Sequence, residues 1–379
     1  MHHPELNFQP ADTAESGDRD LNIEAAPAGL EKMGDEGAGS TVRDQLWRPR
    51  TAMSFLLAIL ILAALVVRSD FRLADISARL RQADIPLLLL AIFVYYVTLF
   101  MRSLRWRWML RISGVGRSGE SVLPGPWYLS GVYLISWSIN CVVPAKLGDA
   151  YRAYRVRRDD SIRYSVGFGT IFAERIFDLA VLVALLVLSG ILAFHGSLPG
   201  QADVALYIGV AMVAIVSLGL VCMFLFRERI LAVLPKRFQA HYTSFQSTLF
   251  CVVRRPVVPA SIALGVWLLE SLRVWLVSES LGAGISVEVA VFVALLSALL
   301  TTLPFTPAGL GVVEVAIVTA LTFVNVPSDM AASVAVLDRL ITYWSLLVIG
   351  ALVALFMMRW RKRQSGLDPV TGRPVQSTS

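Results

Sequence analysis

Three short strings occur twice in this chain, in the same order and inside apolar runs. Ser103-Leu104-Arg105 returns as Ser271-Leu272-Arg273, Pro144-Ala145-Lys146-Leu147-Gly148 as Pro307-Ala308-Gly309-Leu310-Gly311, and Glu174-Arg175 as Asp338-Arg339. The proline-to-acid spacing is 30 residues in the first copy and 31 in the second. Two related units in one chain restrict the fold to a pair of similar bundles with a shared interface between them, the arrangement many membrane transporters use.

The apolar runs set the solvent of that fold. With 56% hydrophobic and 16% charged residues, and a mean hydropathy of +0.65, the chain carries more apolar surface than a soluble domain buries. Crossing about 30 Å of hydrocarbon takes roughly 17 to 25 mostly apolar residues. Candidates lie near 51–67, 85–101, 166–194, 203–226, 257–281 and 331–358. The expectation is an all-α polytopic integral membrane protein with about six full spans. Residues 1–46 differ in kind: ten acids face Arg19, Lys32 and Arg43 amid Pro, Gly, Ala and Ser, a composition that cannot offset the entropy of ordering, so a disordered acidic tail is expected. No removable signal peptide is expected, and the first span is expected to act as the insertion signal. From residue 47 onward 31 basic residues face 18 acidic ones, so the tail masks a basic body.

Arg and Lys in short loops orient the spans. Arg48 and Arg50, then Arg102, Arg105, Arg107, Arg111 and Arg117, then the group from Arg227 to Arg255, then Arg359 to Arg363 are assigned to the cytoplasm, with His195–Gln201 and Gly282–Ser286 outside. Both termini of an integral cell-membrane protein are then cytoplasmic, 359–379 forming a basic tail. The apolar run 127–143 leads from one Arg-rich stretch to another, Tyr151 to Arg163, so it reads as a re-entrant hairpin broken at Pro144 to Gly148. Residues 287–326 mirror it, broken by Pro304, Pro307, Gly309 and Gly311, a hairpin entering from outside. The repeats, about 85–195 and 257–358, are therefore inverted, and the span at 203–226 is the odd crossing that reverses them.

Charges inside such segments cost about 2.5 to 3.5 kcal/mol each at mid-bilayer, so they should face protein, water or one another. Glu270, Arg273, Asp338 and Arg339 are of this kind, and Glu174 and Asp178 share one helix face beside Arg175. Locked ion pairs are the plain structural reading; repetition in both halves beside a broken helix favours a site. Arginine grips phosphate with a planar fork, and broken helix ends offer free N–H groups. The residues expected to bind a headgroup are Arg105, Arg152, Arg175, Arg273 and Arg339 with the acids Glu174, Asp178, Glu270 and Asp338, joined by Lys146, Asp149, Glu314 and Asn140, whose amide can also cap backbone freed at the break. Pro144, Gly148, Pro304, Pro307, Gly309 and Gly311 are the expected hinge points.

These residues carry a family likeness. Arg102-Ser103-Leu104-Arg105-Trp106-Arg107-Trp108, the stretch Asn140 to Asp149 with Arg152, Glu174-Arg175-Ile176-Phe177-Asp178, and Pro304 to Glu314 together resemble the transmembrane region of lysylphosphatidylglycerol synthases, also called flippase-like membrane proteins, over roughly residues 50–358. The resemblance implies that 47–358 is a flippase-like domain. In the best-known members this region is fused to an aminoacyl-transferase and moves the aminoacylated lipid between leaflets; stand-alone members are linked to glycolipid, hopanoid or polyprenyl-phosphate-sugar pathways. Lys146 and Asp149 stand where the family often has Arg and Glu, and Pro307-Ala308-Gly309 where Pro-Gly-Gly is common. Only about 20 polar residues follow the last span, which implies a stand-alone member that charges no lipid itself.

Catalytic chemistry is not apparent: there is no Gly-rich phosphate loop, the four histidines are scattered, and Cys141, Cys222 and Cys251 are widely spaced. The chain is expected to be no enzyme, with no catalytic residue, metal or cofactor. Trp106, Trp108, Trp127, Tyr128 and Trp360 read as an interfacial belt. Phe71, Leu73, Ile76 and Leu80, and separately Ile230, Leu234, Phe238, Phe245 and Leu249, have the spacing of helices lying in the headgroup plane. The combined expectation is facilitated translocation of a phosphate-bearing lipid, with membrane lipids as partners and no nucleic acid. Two alternatives stand beside it: a membrane partner of a separately encoded lipid-modifying transferase, and a secondary transporter of a small solute.

Overall fold

The computed structural model describes residues 73–116, 121–143, 147–194, 200–302 and 307–365. The acidic tail, the expected span at 51–67, Pro144, Ala145, Lys146, Pro304 and residues 366–379 lie outside them, as do Phe71 and the side chains of Leu73 and Ile76. The described residues are helical throughout, without strands: α1 (Leu73–Gln82), α2 (Ile85–Ile112), α3 (Pro126–Val142), α4 (Leu147–Asp160), α5 (Tyr164–Phe194), α6 (Gly200–Leu225), α7 (Arg227–Val233), α8 (Lys236–Val253), α9 (Val257–Ser280), α10 (Val287–Thr302), α11 (Val312–Phe323), α12 (Ser328–Arg339) and α13 (Leu346–Ser365). A π-helical turn, Leu340–Ser345, joins α12 to α13 without interrupting the rod. Among the described residues, five stretches are long and apolar enough to cross a membrane: Ile85–Ile112, Tyr164–Ala193, Tyr207–Leu225, Val257–Ser280 and Ser328–Arg359. The protein is a polytopic membrane protein.

The repeat is visible in the packing. α2 and α9, which carry the duplicated Ser-Leu-Arg, lie against each other along their lengths. They run antiparallel, because the Asp84 N–H donates to the Ser280 carbonyl at 2.8 Å while Gly265 faces Met101. Each hairpin is split between the halves. The first arm α3 packs on α13 of the other repeat and the second arm α4 on α5 of its own; likewise α10 packs on α5 and α11 on α12. The 3-10 turn Pro307–Gly309 touches α3, the first arm of the other hairpin.

Local chemistry accounts for the element ends. Asp84 caps α2 by accepting from the Leu87 N–H at 3.2 Å, and Pro86 sits in its first turn, where no N–H is needed. Gly350 lets α13 lie directly on α3: a Cβ there would come within 1.7 Å of Ser138 Oγ. The Ser138 hydroxyl bridges the same contact by donating to the Leu346 carbonyl at 2.8 Å.

Several expectations from the sequence are corrected here. α2 continues to Ile112 instead of ending near 101, so Arg102 and Arg105 are not cytoplasmic flanking residues; both are fully buried, as is Arg152 of the loop-like cluster. Nearby carboxylates, distant in sequence, make that burial possible. Trp106 is no belt residue: it is fully buried and its Nε1 donates to Thr170 Oγ1 at 3.1 Å. The second amphipathic stretch is divided, with Phe238 half exposed but Leu249 fully buried against Met109, Ala173 and Phe177, because α8 packs on α5. α1 is tied to the start of α12 by an Arg79–Asp329 ion pair.

At the end of α4, Asp159 holds Arg155 at 3.0 Å and accepts from the Tyr128 hydroxyl, leaving Asp160 with a buried Oδ2 that has no hydrogen-bond donor among the described residues. Burial, then the charge of Asp159, pushes the Asp160 carboxyl up to about 6. A folded value above the unfolded one favours the protonated folded state, so this group's contribution declines as pH rises from about 4 to about 6. Asp160→Asn is therefore expected to raise the melting temperature most at pH 7 and clearly less at pH 4.5, as followed by tryptophan fluorescence in detergent.

Candidate functional site

Most of the buried charges form one connected network, with the Arg339–Glu314 pair beside it. On α2, Arg102 and Arg105 are three residues apart and share a face; on α5, Glu174 and Asp178 are four apart and face them. Arg105 grips Asp178 with both nitrogens, Nη1 to Oδ1 at 2.7 Å and Nη2 to Oδ2 at 2.9 Å, and reaches Glu174 at 3.6 Å. Glu174 also accepts from Arg152 at 3.0 Å and from the Tyr133 hydroxyl at 2.6 Å. Arg152 returns to Asp149 at 3.1 Å, and Asp149 holds Arg175 at 2.8 Å.

The second repeat has the same wiring. Arg273 pairs with Asp338, the counterpart of the Arg105–Glu174 contact, and its Nε donates to Glu270 at 3.1 Å. Arg339 lies 3.3 Å from Glu314, the counterpart of Arg175 with Asp149. In both halves, therefore, the arginine that follows the return-helix acid faces a carboxylate in the first turn of the hairpin's second arm. Such a carboxylate also satisfies helix-start donors: the Gly311 N–H donates to Glu314 Oε2 at 2.7 Å. The halves join through Arg102, which lies 3.4 Å from Asp178 and 3.8 Å from Glu270. Arg102 and Glu270 occupy equivalent positions, each directly before Ser-Leu-Arg, with opposite charge.

Six arginines thus meet six carboxylates, and aromatic plates complete their surroundings. Arg102 sits between the rings of Trp137 and Trp267 at 5.1 and 4.8 Å, and Arg152 lies over Trp106 and Tyr133 at 5.1 and 4.5 Å. A ring face stabilises a desolvated cation by about 2 kcal/mol.

A cavity of about 390 Å³ opens on this network between the repeats. Its polar wall includes Asn140, Asp149, Arg175, Asp178, Glu270, Arg273, Asp338 and Arg339. The rest of its lining is largely apolar and includes Leu179 and Leu182 of α5 with Met212 and Val216 of α6. Arg105, Arg152, Glu174 and Glu314, also expected at the site, stand behind the wall and hold the lining residues by the contacts above. Arg175 is the most accessible arginine of the network, with 29% of its side chain exposed, against 8% for Arg339.

The hinge residues divide similarly. Asn140 does cap the first break, accepting from the Gly148 N–H at 2.8 Å while also lining the cavity. Gly309 and Gly311 adopt φ of +72° and +85°, which L side chains rarely reach. Ala308 is also left-handed, at φ 48°, a conformation costing an alanine about 1 kcal/mol. Ala308→Gly is expected to raise stability by about 0.5 to 1 kcal/mol, measured as a higher thermal midpoint in detergent.

Arg102, Trp137 and Trp267 were missed as site residues. A signal for Arg102 was available, since its alignment with Glu270 in the repeat pairs a cation with an anion at related positions. The tryptophans gave none, because an apolar helix uses them equally for packing.

Comparison with known proteins agrees with this architecture. A UPF0104 membrane protein of Methanocaldococcus jannaschii is 35% identical over 217 residues, covering 57% of this chain and 92% of that protein. Another, from Methanothermobacter thermautotrophicus, is 26% identical over 330 residues, covering 79% and 93%. Glycosyltransferase AglD of Haloferax volcanii is 34% identical over 159 residues, which is 41% of this chain but 24% of that protein. The family described as the lysylphosphatidylglycerol synthase TM region matches residues 55–350, a span that takes in both hairpins and every charged residue of the network. On the extent of that match, the chain belongs to the lysylphosphatidylglycerol synthase transmembrane-region family.

Proposed function

We propose that the protein is a facilitator of lipid translocation, moving a phosphate-bearing lipid headgroup through the cavity between its inverted repeats while the tails stay in the bilayer. The observation that carries this reading is the mixed lining of the cavity: arginines and carboxylates together with Leu179, Leu182, Met212 and Val216. Its volume is that of a small-molecule site, enough for a headgroup. Arg175 is the accessible fork for phosphate, with Arg339 in the related position of the other half. Six guanidiniums against six carboxylates keep the network near neutral, so a headgroup combining phosphate with an amine or sugar costs less to admit than a bare dianion. Aminoacylated phosphatidylglycerol, glycolipids and polyprenyl-phosphate lipids are of that chemistry. In this reading the protein works in the cell membrane with both termini in the cytoplasm, and has no enzymatic activity or cofactor.

A second reading has support from one observation. The likeness to part of Glycosyltransferase AglD fits a membrane partner that presents lipid to a separately encoded transferase, and translocation and presentation can share one cavity.

Reconstitution in liposomes with headgroup-labelled lipids and a membrane-impermeant quencher tests the proposal. Wild type should exceed empty vesicles for at least one of the lipid classes above. Arg175→Ala and Arg339→Ala should slow it about tenfold or more, the loss of one charge-assisted contact. Rates equal to empty vesicles for all three lipid classes would reject translocation; undiminished mutants would remove the two arginines from the path.

A further inference from the structure

A second cleft lies on a different surface and shares no lining residue with the central cavity. It encloses about 730 Å³ where the end of α6 meets the C-terminal half of α8, in the segment that has no counterpart in either repeat. Arg227 and Arg229 line it from α7, Arg254 and Arg255 from the end of α8, against the single carboxylate of Glu228. All four arginines are exposed. Its floor is tied down, since Gln246 is buried and its amide donates to the Met223 carbonyl at 2.8 Å, closing the last turn of α6 onto α8.

Phe224 and Leu225 border the cleft at 56% and 65% exposure, and they end the membrane-crossing stretch Tyr207–Leu225. Apolar surface that faces hydrocarbon therefore runs directly into a pocket with four guanidiniums and one acid. A soluble anion would use the arginines only; a phospholipid uses both, its chains along α6 and its phosphate among the forks.

We propose that this cleft binds the headgroup of an anionic phospholipid from the adjoining leaflet, with a preference for a phosphate monoester over a zwitterionic headgroup because three positive charges remain after Glu228 is matched. The site is independent of the translocation reading, because it lies outside the cavity. α8 also packs on α5, which carries Glu174, Arg175 and Asp178, so a lipid held here clamps the helix that bears one half of the network.

Native mass spectrometry of the full chain in detergent, titrated with phosphatidic acid, phosphatidylcholine or inorganic phosphate, tests it. Wild type should retain phosphatidic acid in preference to phosphatidylcholine. Arg254→Gln with Arg255→Gln, and Arg227→Gln with Arg229→Gln, should each weaken phosphatidic acid binding about tenfold or more, at roughly 1 kcal/mol per basic residue. The charge-preserving pair Arg254→Lys with Arg255→Lys should keep most of it, which guards against misfolding as the cause. Lys236→Gln with Arg237→Gln, at the other end of α8, should change it little. Equal losses in that last pair, no loss in the cleft pairs, or displacement of the lipid by inorganic phosphate at equal concentration would each overturn the proposal.

Discussion

Asp178→Ala should cost about 3 to 5 kcal/mol of stability, because it strands two buried guanidiniums at once. Arg105 would lose its bidentate partner and keep Glu174 at 3.6 Å; Arg102 would keep Glu270 at 3.8 Å. Neither can turn to water, since their side chains are 0% and 1% exposed. The cost comes from the charge left behind more than from the attraction lost, which gives the test its discriminating arm. Arg105→Met added to Asp178→Ala should recover part of the loss, as removing both members of a buried pair is cheaper than removing one. Thermal melting in detergent, followed by tryptophan fluorescence, measures both of these and Arg105→Met alone. Glu228→Gln, at an exposed position, serves as a control expected within about 0.5 kcal/mol of wild type. A double mutant whose loss equals the sum of the single losses would show that the residues act separately, contrary to a network.

Gly148→Ala is expected to be nearly as damaging, for a steric reason. A Cβ at this position would lie 1.9 Å from the backbone carbonyl oxygen of Ser136 and 2.7 Å from Asn140 Oδ1. A carbonyl inside a helix cannot swing aside, so α3 and α4 must separate, at about 3 kcal/mol or more. That shift also breaks the Asn140–Gly148 hydrogen bond and moves Asp149 away from Arg175. On the translocation proposal, headgroup movement should therefore fall even in the fraction that stays folded. Gly219→Ala, where an added Cβ meets no atom within 4 Å, should leave both melting and transport close to wild type. A fully stable Gly148→Ala protein would mean that the two arms of this hairpin do not pack as closely as described.

The two mutations probe different layers of one design. The hairpin is a steric device, in which a glycine lets its arms touch and presents Asp149 and Arg152 side by side. The network is an electrostatic device, in which each arginine is buried only because a carboxylate from another helix meets it. The duplicated Glu/Asp-Arg string matters because it supplies both devices: its acid anchors an arginine of α2 or α9, and its arginine reaches the hairpin.

Much of this was legible in the order of residues alone. Apolar run length is a local property, so α5, α6 and α9 appear close to where periodicity and hydropathy place them. The repeat was legible because duplicated strings survive as text, and it named most of the cavity's charged lining, including Arg175, Arg273, Asp338 and Arg339. What the chain's order could not decide was where a charged residue ends up when its partner is remote. Arg102 and Arg105 follow an apolar run and look like the flanking charges of a membrane boundary; 73 residues separate Arg105 from Asp178. Local sequence thus determined two related helical units, their breaks and the acid-arginine pairs they share. Only the tertiary structure decided which charges are buried, because a desolvated ion is tolerable only opposite its counter-ion, and that meeting depends on how distant helices pack.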